Sequence, residues 1–76
     1  MIKLGLIGAG GIGRMHTDII MNQIPGAEIV AVSDISAENR AKITDQYPSV
    51  KSFDDPHELI KSSLTDAVIV TTWDRT

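Results

Sequence analysis

The chain alternates between short apolar runs and longer stretches whose hydrophobic residues recur at helical spacing. Ile2, Leu4, Leu6 and Ile7 form the first run and read as a buried parallel strand. Ile12, Met15, Ile19, Ile20 and Ile24 follow as a helix stripe, which predicts a helix from about Gly11 to Gln23 that stops at Pro25-Gly26. Glu28 to Ser33, rich in β-branched residues, is the second predicted strand. Ser36 then suits the N-cap of a polar helix over Ala37 to Gln46, closed by Tyr47-Pro48. A short strand from Val50 to Phe53 leads into a third helix, with Asp55 as cap, Pro56 at the first helical position and Glu58 completing a capping box. Leu59 and Ile60 are its expected buried face. The last run, Ala67 to Thr71, is continuously apolar and so predicts a strand covered by helices on both faces.

Strands alternating with helices and joined by right-handed crossovers give an α/β fold, a doubly wound parallel sheet of the NAD(P)-binding Rossmann kind, with its first four strands in the order 3-2-1-4. Residues 1–76 thus read as the first mononucleotide-binding half of such a fold plus one strand across the switch point, βαβαβαβ. A chain of 76 residues buries only about 60% of its unfolded surface, so marginal stability is expected. Seven basic and ten acidic side chains give a net charge of −3 with no basic cluster, which argues against nucleic acid as partner. The absence of cysteine removes disulfides and thiolate metal sites. No apolar run reaches the roughly 18 residues of a membrane span and no signal-peptide layout opens the chain, so no membrane partner and a cytoplasmic location are expected.

The candidate chemistry lies where the first strand meets the first helix. Gly8, Gly10 and Gly13 are spaced as GxGxxG. Gly8 supplies a turn conformation that a Cβ forbids, Gly10 lets a pyrophosphate approach the backbone, and Gly13 lets the helix pack on the strand. The amides of Gly11 and Ile12 then face outward at a helix N-terminus, where an anion is favoured. Asp34, at the end of the second strand, can accept both hydroxyls of an adenosine ribose, whereas a 2′-phosphate there meets like charge. NAD is accordingly expected in preference to NADP. Ile35 offers an apolar surface for adenine. A solvated turn aspartate or a helix cap is the plainer reading of Asp34. His16 reads as a packed helix residue and His57 as solvated, while helix capping accounts for Asp54, Asp55 and Glu58 better than a catalytic carboxylate pair does. Arg14 and Arg40 are candidates to approach phosphate or adenine, or are simply solvated. No residue is assigned as metal ligand, general acid or general base.

The blocks Gly8-Ala9-Gly10-Gly11-Ile12-Gly13-Arg14-Met15-His16, Val30-Ala31-Val32-Ser33-Asp34, Ser52-Phe53-Asp54-Asp55 and Asp66-Ala67-Val68-Ile69-Val70-Thr71-Thr72-Trp73 resemble the glucose–fructose oxidoreductase, inositol dehydrogenase and rhizopine catabolism (Gfo/Idh/MocA) family over the whole chain. Thr71-Thr72-Trp73, with tryptophan where many members carry proline, resembles its myo-inositol 2-dehydrogenase-like branch. The resemblance implies a two-domain NAD(P)-dependent oxidoreductase of sugars and polyols, in which residues 1–76 are a partial dinucleotide-binding domain and the remainder of that domain and a substrate domain fall beyond Thr76. It puts pyrophosphate on the Gly8 to Gly13 turn, ribose on Asp34, and the diphosphate and nicotinamide-ribose side near Thr71, Thr72 and Trp73. β-propensity alone also accounts for the threonines, and a hydrophobic cover on an open edge for Trp73. The family's catalytic lysine, in a Glu-Lys-Pro block, and its downstream aspartate and histidine would fall beyond Thr76.

The resulting expectation is the cofactor-binding portion of an NAD-dependent dehydrogenase that moves hydride from a substrate carbinol to nicotinamide, with 76 residues alone inactive. A sugar or polyol substrate and a homo-oligomeric assembly are expected of the complete enzyme. Two other classes share the first turn: a nucleotide-sensing module without chemistry, and a methyl transferase holding S-adenosylmethionine. A lysine block with a substrate domain separates the first of these from an enzyme. The third glycine and the helix after it suit a dinucleotide better than the second.

Overall fold

The computed structural model describes residues 1–71. Its elements are β1 (Ile2–Ile7), α1 (Gly11–Gln23), β2 (Ala27–Ser33), α2 (Ala37–Gln46), β3 (Lys51–Phe53), α3 (Pro56–Lys61) and β4 (Ala67–Val70). The bounds of α1 and α2 agree with the sequence reading, and β2, β3 and β4 each differ from it by one residue at one end. The strands form one parallel sheet in the order β3-β2-β1-β4.

Strand register decides which residues share a face. Leu4 lies beside Ile29 and Ala67, Leu6 beside Val32 and Ile69, and Gly5 beside Ala31 and Val68, with an irregularity between Leu4 and Gly5 where β1 meets β2. Leu6, Ile29 and Val32 form the main cluster with Ile20 of α1, Ile43 of α2, Ala9 and Val50. Both long helices therefore cover one face. The opposite face carries α3, whose Leu59 is fully buried against Gly5: a Cβ there would meet Leu59 Cδ2 at 2.8 Å and Thr65 Cγ2 at 3.0 Å.

The buried side of α1 keeps only Ile20 of the apolar stripe. Gly13, Thr17 and Ile20 face the sheet, while Ile12 (51% exposed), Met15 (53%), Ile19 and Ile24 face outward. The physical reason is proximity: the helix approaches the strand too closely for large side chains at its start. Thr17 tolerates burial because its hydroxyl donates to the Gly13 carbonyl at 2.9 Å. Room for a side chain as large as Ile20 opens only in the third turn.

Local caps follow the sequence with one exception. Ser36 Oγ accepts the Asn39 N–H at 3.2 Å at the start of α2. At its end the Tyr47 hydroxyl donates to Asp18 Oδ1 at 2.9 Å and accepts from Asn22 at 3.1 Å, tying α2 to α1. Burial, then the carboxylate of Asp18, holds the Tyr47 phenol above its ordinary value. Asp55 caps α3 by accepting the His57 N–H at 2.9 Å. Glu58, however, lies 3.9 Å from Lys61 rather than reaching back to close a capping box. Ile60 is also corrected: it is 55% exposed, because a helix of six residues turns only Leu59 toward the sheet. Along β4, Ile69 packs on the core, but Val68 and Val70 (63%) are exposed, so among the described residues helices do not cover both faces.

Candidate functional site

The β1–α1 turn is built by its glycines. Gly8 has φ of 99°, in the region that favours glycine, and its N–H donates to the Ser33 carbonyl at 2.8 Å. A Cβ on Gly13 would overlap the Gly8 carbonyl oxygen, so the helix can start against the strand only with glycine there. Gly10 differs from both. It is the N-cap of α1 with φ of −73°, and a Cβ on it, or on Gly11, would meet nothing within 4 Å. That open space is where a ligand can approach the backbone.

Helix α1 begins without help from side chains. No side chain caps it and no acidic residue lies in its first turn. Its first helical bond runs from the Arg14 N–H to the Gly10 carbonyl at 2.9 Å, so the N–H groups of Gly11, Ile12 and Gly13 have no helical acceptor. Together with the dipole end they favour an anion.

Asp34 faces this turn from the end of β2. Its Oδ2 accepts the Ala9 N–H at 2.8 Å and its Oδ1 accepts the Ser36 N–H at 2.8 Å. Burial pushes its carboxyl up, but the Ser36 and Ala9 N–H groups, the Asn39 side chain and the Arg40 charge outweigh that, and the net effect holds it below its ordinary value. An ionised carboxylate has about four acceptor positions, so about two remain for a diol. Thr71 braces the turn from β4's end: its N–H donates to the Ile7 carbonyl at 2.8 Å and its hydroxyl to the Gly8 carbonyl at 2.6 Å.

These groups meet in one cleft of about 420 Å³, lined by Gly8, Gly10, Gly11, Ile12, Asp34, Asn39 and Thr71. A second, apolar cavity of about 200 Å³ shares Gly8 and Asp34 with it and is walled by Ile7, Ser33, Ile35 and Pro56. Ile35 thus stands at the second cavity, 89% exposed, and not in the first. Gly13 lies beneath the turn. Thr72 and Trp73 fall outside the described residues. Asn39 and Pro56, with the strand-end residues Ile7 and Ser33, are lining residues that the sequence does not single out. Asn39 sits one turn into α2, three residues after its cap, and Pro56 was read only as a helix start.

Chemically, the arrangement offers backbone donors for a phosphate, an acceptor for a diol beside them, and an apolar recess for a flat ring. Asp34 is the only ionisable residue lining either cavity among the described residues. Bonded to two N–H groups and held ionised, it is an acceptor rather than a proton carrier. The described residues contain no group of three or more side chains able to hold a metal ion, and none of their helices is long and apolar enough to cross a membrane.

Residues 2–76 match the Gfo/Idh/MocA oxidoreductase family, described by its NAD-binding Rossmann fold. The chain is 40% identical over 76 residues to inositol 2-dehydrogenase of Paracoccus denitrificans, and 44% identical over 77 residues to that of Klebsiella pneumoniae. In each case 99% of this chain covers 23% of the relative, so the chain spans about a quarter of the length of the curated relatives it matches. In structure it is similar to the myo-inositol dehydrogenase of Lactobacillus casei solved in complex with NAD(H) and myo-inositol. The TM-score is 0.90 at 35% identity, over 96% of this chain and 22% of that one. With a glycine turn, an acidic strand end and a 3-2-1-4 sheet placed as the fold requires, the chain belongs to the Gfo/Idh/MocA family of oxidoreductases and carries strands and helices of its NAD-binding Rossmann fold.

Proposed function

We propose that residues 1–76 form the adenosine and pyrophosphate side of the NAD site in an inositol-type polyol dehydrogenase. In this reading the N–H groups of Gly11 and Ile12 hold the pyrophosphate, with Gly8, Gly10 and Gly13 giving the turn its shape. Asp34 takes the adenosine ribose, and Ile35 and Pro56 flank the adenine. Thr71 stands on the side of the cleft toward the nicotinamide ribose, and the family resemblance assigns Thr72 and Trp73 to the same part of the cofactor. The observation that carries the reading is the meeting of an uncapped helix start with the Asp34 carboxylate in a single cleft that opens onto an apolar recess.

When bound, NAD supplies a hydride acceptor. This chain's residues bind and orient it: oriented amides neutralise phosphate charge, and Asp34 reads the diol. The proton acceptor belongs to the remainder of the enzyme, for which the family resemblance implies a lysine beyond Thr76. The same reading makes residues 1–76 part of a larger dinucleotide-binding domain in a cytoplasmic homo-oligomer whose partners are small polyols or sugars rather than nucleic acid.

The experiment is to follow reduced-nicotinamide absorbance with the full-length protein, NAD and a panel of polyols that includes myo-inositol. NAD-dependent oxidation of an inositol is the expected result, lost on substitution of Gly10 or Asp34. Tight NAD binding with no turnover of any polyol would replace the dehydrogenase by a binding module. Failure to bind NAD would remove the reading altogether.

A further inference from the structure

We propose that Asp34 is a positioning residue for the turn that faces phosphate, in addition to being a ribose acceptor. This deepens the nucleotide reading of the cleft and rests on it. Ala9 stands between Gly8 and the pair Gly10-Gly11, so the turn consists mostly of the residue type that orders itself least. Gly8 is held at both ends, its N–H by the Ser33 carbonyl and its carbonyl by the Thr71 hydroxyl. The Ala9 N–H is held by Asp34 Oδ2 at 2.8 Å, a charge-assisted bond between residues 25 apart in sequence.

Two features make this bond more than a surface contact. Ala9 is fully buried, so its N–H has no ready substitute acceptor in water if the carboxylate is removed. The carboxylate itself cannot swing away freely, because Oδ1 is fixed by the Ser36 N–H at the start of α2. The bond thus links the β1–α1 turn to the β2–α2 turn entirely through protein atoms. Asp34 sets where the Gly10 and Gly11 backbone lies, and through it the direction in which the helix-start amides face.

The sign of one measurement separates this role from ribose recognition. A carboxylate beside an anion site repels the anion. If Asp34 served the ribose alone, removing it would leave unchanged, or tighten, the binding of an NAD analogue whose adenosine is 2′,3′-dideoxy. If Asp34 positions the turn, the same substitution weakens that analogue. Titration of the full-length protein and its Asp34→Ala variant with NAD and with the dideoxy analogue is expected to show a loss of roughly tenfold on the analogue. Asp34→Asn, which keeps one acceptor, should fall between. Equal or tighter analogue binding by Asp34→Ala overturns the proposal.

Amide hydrogen exchange gives a second readout that needs no ligand. Exchange at Ala9 should accelerate at least roughly tenfold in Asp34→Ala, with much less change at Gly8, whose N–H donates to the Ser33 carbonyl. Unaltered exchange at Ala9 also overturns the proposal. Protection at Leu6 reports that the strand is folded, and Asp34→Asn carries the test if Asp34→Ala loses it. Should the unsubstituted protein bind neither NAD nor the analogue, the nucleotide reading fails, while Ala9 exchange still decides the positioning role.

Discussion

The carbonyl oxygen of Gly8 occupies the place that a Cβ on Gly13 would take, and the same oxygen accepts the Thr71 hydroxyl at 2.6 Å. Strand, helix and distant strand end therefore converge on one backbone atom. Alanine at 13 would have to push α1 off the sheet or displace Gly8, and either move disturbs Thr71. Gly13→Ala is expected to destabilise the protein by about 1–3 kcal/mol, the usual cost of overpacking, read from the denaturant midpoint.

Gly10→Ala should behave in the opposite way. Its φ of −73° suits any residue and a Cβ meets open space, so stability should stay within about 0.5 kcal/mol or rise slightly. NAD affinity should fall all the same, because the methyl group enters the cleft. Calorimetric titration beside thermal unfolding checks the pair, and a destabilised Gly10→Ala with normal affinity would show that this glycine serves the fold.

Cofactor preference follows from Asp34. With both its oxygens fixed by N–H groups, the carboxylate cannot turn from a 2′-phosphate. NAD should bind at least roughly tenfold more tightly than NADP to the full-length protein, and Asp34→Ala should narrow the ratio. Parallel titrations of the two cofactors decide it, with equal affinities counting against the assignment.

Acid stability has a definite sign. The Asp34 carboxyl is lowered in the folded protein from its ordinary 3.8, so its contribution is fully present above that pH and is lost as pH falls through the lower folded value. Unfolding free energy measured from pH 6 to pH 2.5 should drop more steeply for the unsubstituted chain than for Asp34→Asn below about pH 4. Parallel curves would mean that the Ala9 and Ser36 bonds do not favour the ionised form.

The 76-residue chain by itself should self-associate. β4 forms one edge of the sheet, with Val68 and Val70 exposed beside it, and an edge of this kind pairs readily with a neighbour. Sedimentation across a concentration series should show mass rising with concentration, and Val70→Lys should suppress the rise.

Element order and the turn were legible because each rests on local chemistry: glycine spacing, the Ser36 and Asp55 caps, and β-branched runs. Packing was less so. Hydrophobicity marked Ile12, Met15, Ile19, Ile20 and Ile24 as the stripe of α1, yet only Ile20 of these is buried, and the close approach at Gly13 makes Thr17 the residue that fits before it, its hydroxyl satisfied within its own helix. Ile60 was misplaced for a related reason, since six residues of helix bury a single position. Asp34 was recognisable as an acidic strand end, but its bond to Ala9 depends on how two turns sit side by side, which no spacing encodes. Asn39 and Pro56 escaped because each had a sufficient local explanation as a helix residue.

The bond from Thr71 to Gly8 spans 63 positions of sequence. During synthesis the hydroxyl that braces the glycine turn is added only after three helices and the intervening strands have been made. Closing so long a loop is slow relative to forming any single helix. The nascent turn therefore waits without its brace, and competence to take a nucleotide follows the making of the fourth strand rather than of the turn itself.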